Sequence, residues 1–297
     1  DGVHLGHQRV IRRAMTSARE RRVDCLLVTF GRHPQAILSG SPPRAILSLE
    51  QRLRIFERLG VDATEVLSFS DELRRWTAAE FVERYLLGRY HASLLVLGHD
   101  ARFGCDGRAP GAVEEACQAH GLEMVRVEPE RLGERTISST LIRRLIEEGA
   151  LDEAAAMLDR PVAMEGLVVP GDQRGRTLGF PTANLVLRHD LHPPRGVYAT
   201  IAHVDHQAWP SLTNIGSRPT FDGVEERIEV HLIGYEGDLY GRALEVTFLG
   251  KLRDERRFAS PDELVAQIEK DLQAFRLQHP NLVSGARRDG APGTAGF

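Results

Sequence analysis

The sequence predicts two domains of different class, an α/β domain followed by a mostly β domain. Three observations carry this. Short apolar runs alternate with amphipathic helical stretches through the first half, as in a doubly wound sheet with helices on its faces. Beyond Arg160-Pro161 the periodicity changes to the two-residue alternation of half-buried strands, so a boundary is expected near residue 160. Near the end, Ser260-Pro261-Asp262-Glu263 is a capping box with proline at the first helical position. It opens a helix in which Leu264, Ile268 and Leu272 share one face, and the tail from Ser284, rich in Gly, Ala and Arg, reads as disordered.

Composition narrows the function classes. At 297 residues, 42% apolar and 27% charged, the chain has the length and balance of an ordinary soluble protein with two cores. A net charge of -4 gives no sign of a nucleic-acid or polybasic membrane surface, and no apolar run approaches the roughly 20 residues of a membrane helix. Cys25, Cys105 and Cys117 are far apart and outside any CxxC pattern, which fits a reducing cytoplasm.

The chain begins DGVHLGHQ, with His4 and His7 flanking Gly6 and a helix expected from Gln8 to about Arg22 through Val10, Ile11, Ala14, Met15 and Ala18. Two imidazoles at the positive end of a helix dipole suit charge developing on a phosphoryl group, although two surface histidines would read the same way in isolation. Cys25 to Phe30 is expected to be a buried parallel strand whose C-terminal end delivers Gly31-Arg32-His33-Pro34, where α/β folds bind ligands, so His33 is a candidate substrate contact. A helix over Ser48 to Leu59, a strand within Val61 to Phe69, a helix over Ala78 to Tyr90 and a strand at Leu94 to Leu97 follow. That last strand runs into Gly98-His99-Asp100-Ala101-Arg102-Phe103-Gly104, a plausible nucleotide loop or a plain surface one. After a helix near Ala112 to His120 and a strand near Met124 to Val127, Ile137-Ser138-Ser139-Thr140-Leu141-Ile142-Arg143 places hydroxyls and a guanidinium at another helix start. Those groups can cap the helix and also hold polyphosphate.

In the second half the informative stretch is Gly166 to Leu185, GLVVPGDQRGRTLGFPTANL. Gly171, Gly175 and Gly179 with Arg174 and Arg176 read as a loop whose backbone N–H groups and guanidinium forks cradle phosphate. It ends in Pro181-Thr182-Ala183-Asn184, whose hydroxyl and amide are hard oxygen ligands of the kind Mg²⁺ accepts. Further on, turns are expected at Arg218 to Gly223. Along Ile228-Glu229-Val230-His231-Leu232 the apolar residues take one face, leaving Glu229 and His231 on the other.

These motifs carry two resemblances. DGVHLGHQ, VTFGRHP, LGHDARFG and ISSTLIR, in that order over about residues 1 to 160, resemble the adenylyltransferase module of prokaryotic FAD synthetases, nucleotidyltransferases of the HxGH type. The resemblance implies a Rossmann-like fold and in-line attack of the FMN phosphate on the ATP α-phosphorus. His4 and His7 would stabilise the transition state, Ser138, Ser139, Thr140 and Arg143 would hold the leaving phosphates, and Asp100 would contact nucleotide. Arg32 and Ala101 depart from the family pattern. The family also has a strand immediately before its HxGH loop, whereas this chain opens on Asp1; if the protein itself begins there, weak or absent adenylylation and a poorly folded first domain are expected.

GRTLGFPTANL, GVYAT, TNIGSRPTF, IEVHL, DLYG and LRDERRF, over about residues 161 to 280, resemble riboflavin kinase. The implied fold is an antiparallel Greek-key β-barrel with a C-terminal helix. By that match Thr182 and Asn184 hold the Mg-nucleotide, and Glu229 takes the proton from the riboflavin 5′-hydroxyl. Lys251 to Phe258 would be a loop covering the flavin, with Leu252, Arg253 and Phe258 contacting the isoalloxazine, and His231 would be structural. Together the halves imply a bifunctional enzyme making FMN from riboflavin and ATP, then FAD from FMN and ATP, with Mg²⁺ serving both steps. The alternatives are a kinase with an inactive adenylyl half, a flavin-binding regulator without turnover, and an adenylyltransferase for another acceptor.

Overall fold

The computed structural model describes residues 1–31, 43–107, 109, 111–171, 174–220 and 223–283. His33 and the tail from Ser284 lie outside the described residues. Among those described, the chain forms two compact units, one of residues up to Ala45 with Leu49–Ser139, the other of Ile46–Ser48 with the chain from Thr140 onward.

The first unit opens with α1 (Leu5–Arg21), whose Ile11, Met15 and Ala18 are buried. Then come β1 (Leu26–Phe30), α2 (Leu49–Leu59) and β2 (Ala63–Leu67). A second set holds α3 (Ala78–Glu80), β3 (Leu94–Gly98), α4 (Ala112–Ala119), β4 (Glu123–Val127) and a small hairpin of β5 (Arg131–Leu132) and β6 (Arg135–Thr136). The strand and helix order is the one the alternation predicts, with a difference in the ladders. β1 pairs in parallel with β2, and β3 in parallel with β4, so the described strands make two parallel pairs rather than one continuous sheet. The expected helix over Ala78 to Tyr90 is α-helical only to Glu80 and then widens into a π-helix, Phe81–Leu87. Gly88 closes it by donating to Glu83 O, and a Cβ at Gly88 would come within 2.9 Å of Arg84 O. Val82, Tyr85 and Leu86 on this helix pack with Leu67, Val113 and Cys117 in the unit's core.

From Thr140 the second unit follows α5 (Ser139–Glu148), whose first residue closes the first unit, and α6 (Leu151–Leu158), and then builds a closed six-stranded barrel. Its strands are β7 (Ala163–Val169), β8 (Ala183–Leu187), β9 (Gly196–Val204), β10 (Gln207–Thr220), β11 (Gly223–Leu232) and β12 (Ala243–Arg253). Their order around the barrel is β10-β11-β8-β7-β12-β9, with every neighbour antiparallel. Strands β8 to β9 and β11 to β12 connect across the barrel rather than to neighbours, which is Greek-key linkage. Closure leaves no exposed sheet edge in the ring. Two stretches read as loop are strand. Arg218 to Thr220 continue β10, with Pro219 opposite Val224, and Lys251 to Arg253 continue β12, opposite β9. Pro219 is tolerated because β9 stops pairing with β10 at Ile215, so its missing N–H breaks no ladder bond on that side.

Between β7 and β8 lies a one-turn helix, α7 (Arg174–Thr177). The last long helix, α8 (Pro261–Gln278), starts at Ser260, whose hydroxyl accepts from Glu263 N, and a short α9 (Pro280–Val283) follows. Ile268, Leu272 and Phe275 of α8 pack on Ala199, Leu212 and Leu252, so the apolar stripe faces the barrel. Inside the barrel, Thr200, Ser211 and Thr213 are fully buried and satisfy one another, with Thr200 Oγ1 2.8 Å from each partner hydroxyl.

Candidate functional site

Two clusters gather the predicted residues, one in each unit. In the first, His4 is the N-cap of α1: its Nδ1 accepts from His7 N at 3.4 Å, and the two imidazoles stack with centroids 3.8 Å apart. The glycine between them is there for space, because a Cβ at Gly6 would lie 3.1 Å from the His4 ring. Just before the pair, Val3 is buried with φ of 44°, a left-handed backbone that a β-branched residue rarely adopts. Such strain commonly accompanies functional turns, and sequence reading gave no sign of it.

The other predicted residues of the first half are more dispersed. Asp100 is exposed in the turn after β3, with its Oδ1 3.7 Å from His99 Nδ1. Arg126 on β4 organises that turn by donating to Gly98 O and Ala101 O, both at 3.0 Å, while its Nε donates to Glu114. Ser138 and Ser139 close the first unit, whereas Thr140 and Arg143 belong to the second, on the first turns of α5. Burial pushes the Arg143 guanidinium below its ordinary value, partly offset by Glu147.

The barrel cluster is tighter. Antiparallel register sets Glu229 on β11 directly opposite Asn184 on β8 and Asn214 on β10. Ile228, Val230 and Leu232 are buried while Glu229 and His231 are half-buried, as the alternation predicts. Arg227, two residues back on the same face, donates from Nε to Asn184 Oδ1 at 3.1 Å and lies 3.4 Å from Glu229 Oε1. His231 engages the carbonyl of Pro181 through Nδ1 at 2.8 Å and meets Phe180 edge-on. Burial pushes the His231 imidazole below its ordinary value, partly offset by the Pro181 bond, which favours the neutral Nδ1–H tautomer as donor.

The glycine stretch before PTAN works by close approach. A Cβ at Gly171 would overlap the Asn184 amide, and one at Gly175 would overlap Phe180 O and stand 3.3 Å from Thr182 Oγ1. Instead of an open cradle, Arg174–Thr177 form a helical turn. Gly179 at φ 85° reverses it, and Phe180 N donates to Gly175 O at 2.8 Å. Arg176 and Thr182 are exposed, and Asn184 is buried.

The three flavin candidates sit on one rim. Leu252 and Arg253 end β12 and Phe258 follows, all half-buried. Arg253 is tied to α8, pairing with both carboxylate oxygens of the buried Asp271 at 2.9 to 3.0 Å, and its guanidinium faces the Phe258 ring. Asp271 was legible as an acid on the apolar face of α8, between Ile268 and Leu272. Glu255 reaches back to accept from Ser217 N at 3.1 Å, and a Cβ at Gly216 would lie 2.5 Å from it.

Asn184 and Thr182 carry hard oxygens of the kind a magnesium–nucleotide accepts, and Asn184 Oδ1 accepts a hydrogen bond from the Arg227 guanidinium. Among the described residues no group of three or more His, Cys, Asp or Glu could hold a metal, so an ion here would complete its shell from phosphate and water.

Comparison with known proteins follows the same division. The riboflavin kinase family model matches residues 158–278, and the FAD synthetase model matches residues 1–141. Bifunctional riboflavin kinase/FMN adenylyltransferases are similar along almost the whole chain. The Escherichia coli (strain K12) protein is 35% identical over 91% of this chain and 88% of its own. The Pseudomonas fluorescens protein is 37% identical over 93% and 89%, and that of Bacillus subtilis (strain 168) 35% over 95% and 91%. A crystal structure described as a macrolide-efflux protein from Streptococcus pneumoniae shares the fold at a TM-score of 0.81 and 35% identity, covering 93% of this chain and 91% of that one. No helix of the described residues is long and apolar enough to cross a membrane. With an HxGH corner in one unit and a PTAN–glutamate face on the barrel of the other, the chain belongs to the bifunctional riboflavin kinase/FMN adenylyltransferase family.

Proposed function

We propose that the two activities divide between residues 1–160 and 161–280, the first adenylylating FMN and the second phosphorylating riboflavin. The observation that carries the kinase assignment is the register that sets Glu229 opposite Asn184, beside the glycine-containing turn that packs closely on the Asn184 amide. Glu229 accepts the proton of the riboflavin 5′-hydroxyl as that oxygen bonds to the ATP γ-phosphorus and ADP departs. Thr182 and Asn184 hold Mg²⁺ with the nucleotide, where the ion neutralises phosphate charge. Gly171, Arg174, Gly175, Arg176 and Gly179 receive the phosphates, while Leu252, Arg253 and Phe258 border the flavin.

Within residues 1–160 the FMN phosphate oxygen attacks the ATP α-phosphorus and pyrophosphate leaves. His4 and His7 stabilise the charge that develops, supported by their place at the N-terminal end of α1. Asp100, Ser138, Ser139, Thr140 and Arg143 take the nucleotide and leaving phosphates, and His33 the flavin. The substrates are therefore riboflavin, FMN and ATP, and FMN and FAD are the flavin products. The three free cysteines fit a reducing compartment such as the cytoplasm.

The test is one incubation of the purified chain with riboflavin, ATP and Mg²⁺, with flavins separated over time. FMN rising and then giving way to FAD is expected. FMN that accumulates without FAD would remove the adenylyl assignment of the first unit as it stands, and absence of FMN would remove the kinase reading.

A further inference from the structure

Three residues of β11 share one face, Arg227, Glu229 and His231, and the outer two reach across to opposite ends of the PTAN segment. Arg227 Nε bonds the side chain of Asn184, the last residue of that segment, at 3.1 Å, while His231 Nδ1 engages the carbonyl of Pro181, its first, at 2.8 Å. The residue between them, Glu229, lies 3.4 Å from Arg227 and opposite Asn184 in the ladder. A strand side chain holds its angle well because backbone pairing and neighbours on the same face restrict it. Pro181 and Thr182, by contrast, are exposed and precede the first residue of β8. The turn therefore takes its position from what grips it.

We propose that Arg227 and His231 are positioning residues that clamp the two ends of the PTAN segment to β11, setting Thr182 and Asn184 at a fixed place relative to Glu229 for binding of magnesium–nucleotide. This rests on the kinase reading of the site given above. The two grips differ in kind. Arg227 also carries charge: its guanidinium faces the amide oxygen that an ion would share, which keeps that oxygen turned toward the site. His231 supplies a neutral N–H whose job any correctly placed amide N–H could do. Phe180 supports the second grip by packing on the imidazole edge and on the core beneath α8.

The experiment uses the full chain and two readouts, calorimetric affinity for Mg-ADP and fluorescence-monitored affinity for riboflavin, with thermal melting alongside. Arg227→Ala is expected to weaken Mg-ADP binding by about tenfold or more, the loss of a charge-assisted bond. His231→Phe, which keeps a ring and removes the donor, is expected to weaken it by about threefold to tenfold, and His231→Asn, whose Nδ2 can reach Pro181 O, should restore most of that. Riboflavin affinity should stay within about twofold in all three. The proposal is overturned if Mg-ADP affinity is unchanged in Arg227→Ala and His231→Phe, or if His231→Asn is as impaired as His231→Phe. It is equally overturned if both ligands weaken together as melting falls, since that is a loss of fold rather than of position. Glu229→Gln run in parallel keeps the two readings apart: full FMN production by that variant would remove the base assignment while leaving the affinity pattern of the clamp intact.

Discussion

The HxGH corner of the first unit and the β11 face of the barrel, both proposed to aim polar groups at phosphate, are ordered by contacts of opposite range. At the corner, His4, Gly6 and His7 fall within one helical turn, and the bond that orders them links residues three apart. On the barrel, Gly171, Asn184, Asn214 and Glu229 come from different parts of the chain and meet only through strand register. A local motif can keep its shape when its surroundings vary. A register-built one fails if any of its strands shifts, because a slip of one residue turns Glu229 into the core.

The largest expected effects test whether the two clusters act separately. Glu229→Gln should lower FMN formation by about two to four orders of magnitude and leave adenylylation of added FMN unchanged. His7→Ala should lower FAD formation by about two to three orders of magnitude and spare FMN formation. Chromatographic separation of the flavins reads both, and a variant that impaired both steps equally would break the comparison.

Acid should weaken the register-built half in particular. His189, in the turn after β8, is buried. Burial pushes its pKa down to about 4; Glu165, Asp190 and a backbone hydrogen bond at Leu191 oppose this, and His192 adds to it. In the unfolded chain the ring binds a proton near its ordinary value of 6.5, whereas in the folded barrel it resists until about 4. Its contribution to stability is therefore complete above about 6.5 and lost as pH falls toward about 4, on the order of 3 kcal/mol in all. Urea unfolding at pH 7 and pH 4.5 should show a smaller pH-dependent loss in His189→Gln than in the parent chain; equal losses would count against this.

Smaller effects come from adding one methyl group. Gly171→Ala should reduce kinase kcat/KM for ATP by about tenfold to a hundredfold, because the new Cβ overlaps an amide held by both the β8–β11 ladder and Arg227. Gly6→Ala should cost adenylyl transfer only a few-fold, since its neighbour is a ring edge at 3.1 Å that can rotate aside. Steady-state kinetics of the two reactions rank the pair. If Gly6→Ala proved the more damaging, the local corner would be the more rigid of the two.

How much was legible in the sequence follows the same division. The alternation along Ile228 to Leu232 placed Glu229 on the half-buried face, and Ser260-Pro261-Asp262-Glu263 marked the start of α8, because both signals lie within a few residues of chain. Arg227 could have been found by extending that alternation two residues back. Its partner could not, since Asn184 lies 43 positions away and only the β8–β11 register joins them. The segment from Lys251 is expected as a loop through the kinase resemblance, yet pairing with β9 carries it as strand to Arg253. Local physics, periodicity and capping, determined the element order, the HxGH turn and the faces of the strands. Tertiary structure alone decided barrel closure, the pairing of Arg253 with Asp271, and the convergence of Arg227, Glu229 and Asn184, because each depends on contacts whose partners the chain brings together only after folding.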